Sequence, residues 1–107
     1  MKNSSNRIDP ESRFTPGIEG YVYDGVNESQ MAFWTYKKSA DSESHSHDFD
    51  EYVVVVQGQY TILMENKSII LNSGDEYLIP KGVFHGGKAD AGTRAIYAFG
   101  GKRAFRG

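Results

Sequence analysis

The chain has 107 residues, a formal net charge of -2 and no cysteine. This length fits one domain. The weak charge does not favour nucleic acid as a partner, and the lack of cysteine excludes disulfides and thiolate metal sites. Residues 1–6 are polar with no apolar signal core behind them, and no apolar run approaches the roughly 20 residues of a membrane span. We therefore expect a cytoplasmic protein with no membrane or nucleic-acid partner.

The two ends of the chain differ in composition from its centre. Residues 1–16 are polar, contain Pro10 and Pro16, and show no periodicity. We predict a flexible N-terminal arm over residues 1–16, able to dock on a partner, and a single domain over residues 17–107. From Lys88 onward basic residues predominate, which indicates a solubilising or intersubunit tail.

Short strands separated by turn residues make up the predicted domain. Four consecutive valines, residues 53–56, are apolar on both faces and predict a strand buried on both sides. Residues 39–44 are small and polar, which indicates a loop. No segment has the apolar spacing of an amphipathic helix, so an all-β sandwich or barrel is expected. The predicted strands cover residues 21–23, 31–37, 52–56, 60–65, 68–71, 76–79 and 94–99.

All three histidines of the chain occupy positions from which they could bind one metal ion. Side chains alternate along a strand, so His45 and His47 are expected to point the same way. Glu51 has the same parity, and His85 follows a turn at Pro80 that could aim it at the same point. Three neutral imidazoles and one carboxylate suit Fe, Mn, Ni, Zn, Co or Cu. The alternative is that these are structural histidines of a β-protein.

The spacing of these residues resembles the two motifs of the cupin family. The first motif is His45-Ser46-His47, then Glu51, then Gly58, and the second is Gly74, then Pro80-Lys81-Gly82, then His85. Two positions depart from the family pattern, because Ser39 stands where a glycine is common and Ala89 where an asparagine is common. Neither position is a metal ligand in the family. The resemblance implies a double-stranded β-helix, or jelly-roll barrel, with His45, His47, Glu51 and His85 around a divalent metal, and a homodimer as the common assembly.

Three aromatic residues are the candidates for lining a ligand pocket. Phe49 and Phe84 flank the ligand segments, and Tyr77 shares parity with Ile79 in the strand before Pro80. The alternative is that these rings only seal the end of the barrel. Lys81, in the same turn, could contact an anionic substrate.

The predicted function is that of a metal-dependent enzyme acting on an unidentified small molecule. Four protein ligands would leave positions of an octahedral ion open, which is typical of catalytic sites. A dioxygenase-like reaction is favoured over an isomerase or hydrolase reaction, and Glu51, a ligand first, is also a possible base. The alternative is a non-catalytic module that binds or senses a small ligand, with the metal as an anchor.

Overall fold

Two antiparallel β-sheets form the part of the chain that the computed structural model describes, Arg7–Ile8 and residues 17–101. The strands are β1 (Arg7–Ile8), β2 (Ile18–Asp24), β3 (Gln30–Tyr36), β4 (Ala40–His45), β5 (Glu51–Gln57), β6 (Gln59–Met64), β7 (Ser68–Asn72), β8 (Glu76–Ile79), β9 (His85–Ala89) and β10 (Arg94–Phe99). One sheet has the order β1-β2-β3-β10-β5-β8 and the other β4-β9-β6-β7. No helix among these residues is long and apolar enough to cross a lipid bilayer. The predicted all-β class is confirmed.

The core lies between the two sheets and takes residues from both. Several strands alternate between this core and the outside, as antiparallel sheets with one wet face do. In β5, Val53 and Val55 are buried, whereas Tyr52 and Val56 are 54% and 48% exposed. The prediction that the valine run is buried on both sides is therefore wrong. The buried core residues include Val22, Trp34, Tyr36, Val53, Val55, Tyr60, Ile62, Leu71, Ile79, Ala89, Tyr97 and Phe99.

The predicted loop at residues 39–44 is largely a strand. β4 pairs antiparallel with β9, with an irregularity in register between Ser42 and His45. Small polar residues have low intrinsic β-propensity, but a ladder of backbone hydrogen bonds does not depend on side-chain type, so tertiary pairing overrides propensity here. β4 was not predicted because its own residues carry no strand pattern, and it forms a strand through its pairing with β9.

The glycine between β5 and β6 has a steric reason to be glycine. Gly58 has a φ of 87°, and a Cβ at this position would lie 2.6 Å from Thr93 Oγ1. Thr93 is fully buried, and its hydroxyl donates to the carbonyl of Gln59 at 3.0 Å. The tight turn between the two sheets therefore needs both the left-handed conformation and the missing side chain.

Two residues of the predicted N-terminal arm form a strand. Arg7 and Ile8 pair with Tyr21 and Gly20 of β2, while residues 1–6 and 9–16 lie outside the described part. Most of the predicted basic tail, residues 102–107, also lies outside it.

Candidate metal centre

The three histidines come together at one end of the barrel, where three strands begin or end. His45 is the last residue of β4 and His85 the first of β9, and the two are direct partners in the ladder. Glu51 opens β5. His47 does not continue the strand of His45 as the alternation argument expected. It lies in the loop between β4 and β5, and that loop turns its ring towards the others.

The nitrogens of these rings converge on a small volume. His45 Nε2 lies 3.0 Å from His47 Nε2, and one potential ligand atom from each of His45, His47 and His85 lies within 4.8 Å of the others. His85 is buried, and His45 and His47 are half-buried. This juxtaposition fits three imidazoles that share one ion, since imidazole nitrogen is the commonest protein ligand of transition metals.

A backbone carbonyl sets the tautomer of His85. His85 Nδ1 lies 3.0 Å from the carbonyl oxygen of Val83. A carbonyl oxygen only accepts, so Nδ1 carries the proton and Nε2 of the neutral ring keeps its lone pair. Ligand histidines are typically oriented in this way, by a hydrogen bond from the nitrogen that does not bind the metal.

Glu51 presents a buried carboxylate to the same point. Its Oε1 lies 3.4 Å from His47 Nε2 and 3.7 Å from His85 Nε2, and the residue is only 5% exposed. Burial by itself would raise the pKa of Glu51, but its interactions with His47 and His85 outweigh burial and lower the pKa to about 2. The side chain is therefore an anion at neutral pH.

The donor atoms fit a bound cation. Glu51 Oε1 is buried and makes no hydrogen bond within the described part of the chain. The lone pair that His85 keeps at Nε2 faces this oxygen, which is unfavourable unless positive charge lies between or near them. A divalent transition metal would satisfy the carboxylate and the imidazoles together, and the mixed nitrogen and oxygen set suits several such metals.

The loop that carries His47 is tied to the turn that precedes His85. The Lys81 backbone N–H donates to Asp50 Oδ1 at 2.9 Å. The Gly82 N–H donates to the carbonyl of His47, and the Gly100 N–H donates to the carbonyl of Asp50, both also at 2.9 Å. We call these three bonds the Asp50 clamp. The bonds of Lys81 and Gly82 join the two motifs across more than thirty residues of sequence, and the bond of Gly100 joins the loop to the end of β10. Spacing alone did not reveal them.

The ring of Phe49 packs face to face against the ring of His47. The two rings stack with centroids 4.7 Å apart and planes at 10°. A Cβ at Gly101 would lie 2.5 Å from Phe49 Cδ2. Gly101, two residues after the end of β10, therefore leaves the space that this ring occupies. Phe49 was predicted as a pocket-lining residue, and its ring lies beside the candidate metal ligand His47.

The other two aromatic candidates lie in different environments. Phe84 precedes His85 and is 61% exposed, so its ring is accessible at this end of the barrel. Tyr77, on β8, is half-buried and packs against the core. Whether either contacts a ligand remains a prediction, and so does the proposed contact of the exposed Lys81 with an anion.

Sequence reasoning missed a cluster of buried tyrosines in the barrel. The hydroxyl groups of Tyr36 and Tyr97 lie 2.7 Å apart, and the ring of Tyr60 lies within about 6 Å of both rings. Burial, followed by the neighbouring Tyr36, raises the pKa of Tyr97 well above its usual range, so its hydroxyl keeps its proton. Tyrosines in strands read simply as core, and only the fold brings their hydroxyl groups together.

Comparison with known proteins agrees with this architecture. The family model for the cupin domain matches residues 32–99. The pectin degradation protein KdgF of Dickeya dadantii is 28% identical over 97 residues, covering 89% of this chain and 88% of that protein. An uncharacterized protein, y4oW, of Sinorhizobium fredii is 38% identical over 50 residues, which cover 47% of this chain and 23% of that protein.

A solved structure of KdgF from Halomonas sp. superimposes with a TM-score of 0.70 at 24% identity, covering 91% of this chain and 93% of that one. At this identity the likeness supports the fold, a jelly-roll barrel. The family match spans both histidine motifs and most of the described strands. The chain therefore belongs to the cupin family.

Proposed function

We propose that the protein is a metal-dependent enzyme that acts on small sugar acids or similar hydroxy acids. The observation that carries the proposal is the convergence of three imidazole nitrogens and a buried, unbonded carboxylate oxygen at one end of the barrel. The substrate class is suggested by the relative named for pectin degradation, which matches most of both chains. Pectin is built mainly from galacturonic acid, which carries a carboxylate beside hydroxyl groups.

His45, His47, Glu51 and His85 would hold the metal. Bound there, a divalent transition metal would supply Lewis acidity and accept the carboxylate and a neighbouring hydroxyl of a sugar acid as ligands. The candidate metals are Fe, Mn, Ni and Zn, and elemental analysis would identify the one that is bound.

The surrounding residues would position the site and control its protons. The Val83 carbonyl holds His85 in the tautomer that leaves Nε2 for the metal. Glu51, whose pKa in the metal-free site is lowered to about 2, would be ionised at neutral pH and available as a ligand. Phe49 and Phe84 would cover the apolar side of a bound molecule, and Lys81 would attract its carboxylate. We expect water to donate protons, since the three histidines are committed to the ion.

Oxygenation of a chelating substrate is the second candidate. The same nitrogen and oxygen donors suit iron and leave room for dioxygen. The third candidate is a non-catalytic module, which would use the same metal to anchor a ligand without converting it.

We also propose that the working form of the protein is a cytoplasmic homodimer.

The test begins with protein purified without added metal. We expect elemental analysis to find about one transition-metal ion per chain, and His85→Ala to lose it. The loaded protein is then incubated with galacturonate and its short oligomers, followed by proton NMR, and with diketones and catechols in an oxygen electrode. The matched control is Asp48→Asn, an exposed residue in the loop of His47.

Each outcome has a distinct meaning. Conversion of a sugar acid that is lost in His85→Ala and kept in Asp48→Asn supports the proposal. Oxygen uptake without conversion of sugar acids favours the second candidate. Binding of a sugar acid with no turnover points to the binding module, and protein with no metal above trace contradicts the site itself.

A further inference from the structure

A second polar pair, Asp24 and Gln30, lies in the same layer of the barrel as the candidate metal centre. Register places Asp24 opposite Gln30, Gln30 opposite Phe99, and Phe99 opposite Glu51. Residues that are directly opposed in an antiparallel ladder point to the same face of the sheet. Gln30, Phe99 and Glu51 are all buried, so this face is the inner one. The pair therefore lies at the end of the barrel where Glu51 meets the three histidines.

A hydrogen bond orients the amide group of Gln30. Its Nε2 donates to Asp24 Oδ1 at 3.0 Å. A carboxylate only accepts, so the amide nitrogen must face Asp24 and the amide oxygen lies on the other branch of the group. An amide oxygen has two acceptor sites and a carboxylate about four, so the pair can accept hydrogen bonds from a ligand beside those made within the chain. Such acceptors suit the hydroxyl groups of a ligand and not its carboxylate.

The hairpin between β2 and β3 holds the pair in register. The Gly25 N–H donates to the carbonyl of Ser29 at 2.7 Å, and the Ser29 N–H donates to the carbonyl of Val26 at 3.0 Å. These bonds close the turn directly beyond Asp24 and Gln30, so the two residues face each other before any ligand binds. Groups that are ordered in advance lose less entropy when a ligand arrives.

Two aromatic rings lie between this pair and the metal ligands. Phe99 separates Gln30 from Glu51 in the row, and the ring of Phe49 packs edge-on against it with centroids 6.1 Å apart. With neighbouring strands about 4.8 Å apart, the backbone of Gln30 lies roughly 10 Å from that of Glu51. A sugar acid whose carboxylate binds the metal would extend past these rings and bring its remote hydroxyl groups to the pair.

We infer that Asp24 and Gln30 form a subsite for the hydroxyl groups of a sugar acid that are remote from its carboxylate. The inference rests on the proposed function and extends it from the metal-binding end of the substrate to the opposite end. A few placed polar groups in an otherwise apolar pocket fix the orientation of a ligand. A site built to bind a hydroxyl group also discriminates against ligands that lack it. The subsite therefore selects polyhydroxy acids over short hydroxy acids such as glycolate, which would reach only the metal.

The test measures ligand binding to the metal-loaded chain by isothermal titration calorimetry. Galacturonate and glycolate are the probes, because both carry a carboxylate next to an oxygen donor and only galacturonate has remote hydroxyl groups. Gln30→Met keeps the length of the side chain but removes its amide. We expect it to weaken galacturonate binding by about 10-fold, the scale of one hydrogen bond, and to leave glycolate binding unchanged.

A second variant tests the pair from its other side. Asp24 is exposed, so Asp24→Ala should fold even if the buried Gln30 does not tolerate substitution. Without the carboxylate, the amide of Gln30 loses its orienting partner and the subsite loses its second acceptor. We expect galacturonate binding to weaken by about five-fold or more, again with glycolate binding unchanged.

The matched control is Gln57→Met. Gln57 is an exposed glutamine at the other end of β5, and its Nε2 also donates within the chain, to the carbonyl of Gly92 at 3.1 Å. This variant should bind both probes as the wild-type chain does. Circular dichroism checks that each variant is folded, and competition with a chromogenic chelator should show the same metal affinity in all of them.

The outcomes separate the subsite from the proposed enzyme. Selective loss of galacturonate binding in Gln30→Met and Asp24→Ala supports the subsite, even if the wild-type chain does not convert galacturonate, which would contradict only the enzyme. Equal loss for both probes would mean that the pair maintains the metal end of the site, and unchanged binding would mean that it contacts no ligand. Either result overturns the subsite and leaves the enzyme standing. A metal-loaded wild-type chain that does not bind galacturonate would contradict both.

Discussion

The most informative single residue is Glu51, because it is buried and charged, and its Oε1 has no hydrogen bond to any of the described residues. A buried carboxylate is costly unless positive charge accompanies it. His47 and His85 lie close enough to provide that charge when protonated, and a metal would provide it at higher pH. The stability of the folded chain should therefore depend on the protonation of these histidines and on whether a metal is bound.

Metal-free protein should lose stability in acid because of this carboxylate. The pKa of Glu51 falls from 4.5 to about 2 on folding, so its contribution is present above about pH 4.5 and is lost as pH falls towards 2. The slope is at most about 1.4 kcal/mol per pH unit, or about 3 kcal/mol in all. In Glu51→Gln, measured by chemical denaturation between pH 6 and 2, this slope should be reduced.

The control for this experiment is Glu65→Gln, an exposed glutamate after β6. It should keep the wild-type slope. Equal slopes in Glu51→Gln and the wild-type chain would mean that the folded protein does not hold Glu51 in its ionised form.

At the scale of elements, the Asp50 clamp joins the loop after β4 to the turn before β9. The loop carries His47, and the turn leads directly into His85, the first residue of β9. The side chain of Asp50 is exposed, so its hydrogen bond contributes only about 1 kcal/mol to stability. Its main effect should be on the relative position of the two histidines.

Asp50→Ala is therefore expected to weaken metal binding more than it lowers stability. We expect about a ten-fold loss of affinity, the usual scale for residues that orient ligands, in a competition titration with a chromogenic chelator. Asp50→Asn keeps an acceptor oxygen and should remain near wild-type. Equal weakening by Asp48→Ala, a change of the same kind in the same loop, would show that loop charge matters rather than the clamp.

The whole molecule is a small barrel with a modest core, and a bound metal should stabilise it appreciably. A ligand at 100 times its Kd adds about 2.7 kcal/mol, and each kcal/mol shifts the Tm of a domain this size by about 4–8 °C. We therefore expect saturating metal to raise the Tm of chelator-treated protein by roughly 10 °C or more in differential scanning calorimetry.

His85→Ala provides the control for this measurement, since it removes one candidate ligand. Its Tm should respond little to added metal. If added metal left the wild-type Tm unchanged, the ion would not bind at the folded site. If the Tm of His85→Ala rose as much as that of the wild-type chain, His85 would not be a ligand.

The fold class followed from local pattern. Strands β8 and β10 were predicted at their observed bounds, because short apolar runs that end at turn residues such as Pro80 and Gly100 are a local signal. β4 was missed because its residues form a strand only in the presence of β9. The burial of residues 53–56 was predicted wrongly, because a continuous run of apolar residues does not show which side of a strand faces water.

The sequence by itself determined the family, the all-β class and the candidate ligands His45, His47, Glu51 and His85, since these depend on residue types at short, regular spacing. Only the tertiary structure decided how they meet. It placed His47 in a loop instead of a strand, tied that loop to Lys81 and Gly82 through the Asp50 clamp, and set Phe49 against His47. It also brought the hydroxyl groups of Tyr36 and Tyr97 to 2.7 Å from each other. These features depend on strand register and on contacts between distant segments, which no local pattern encodes.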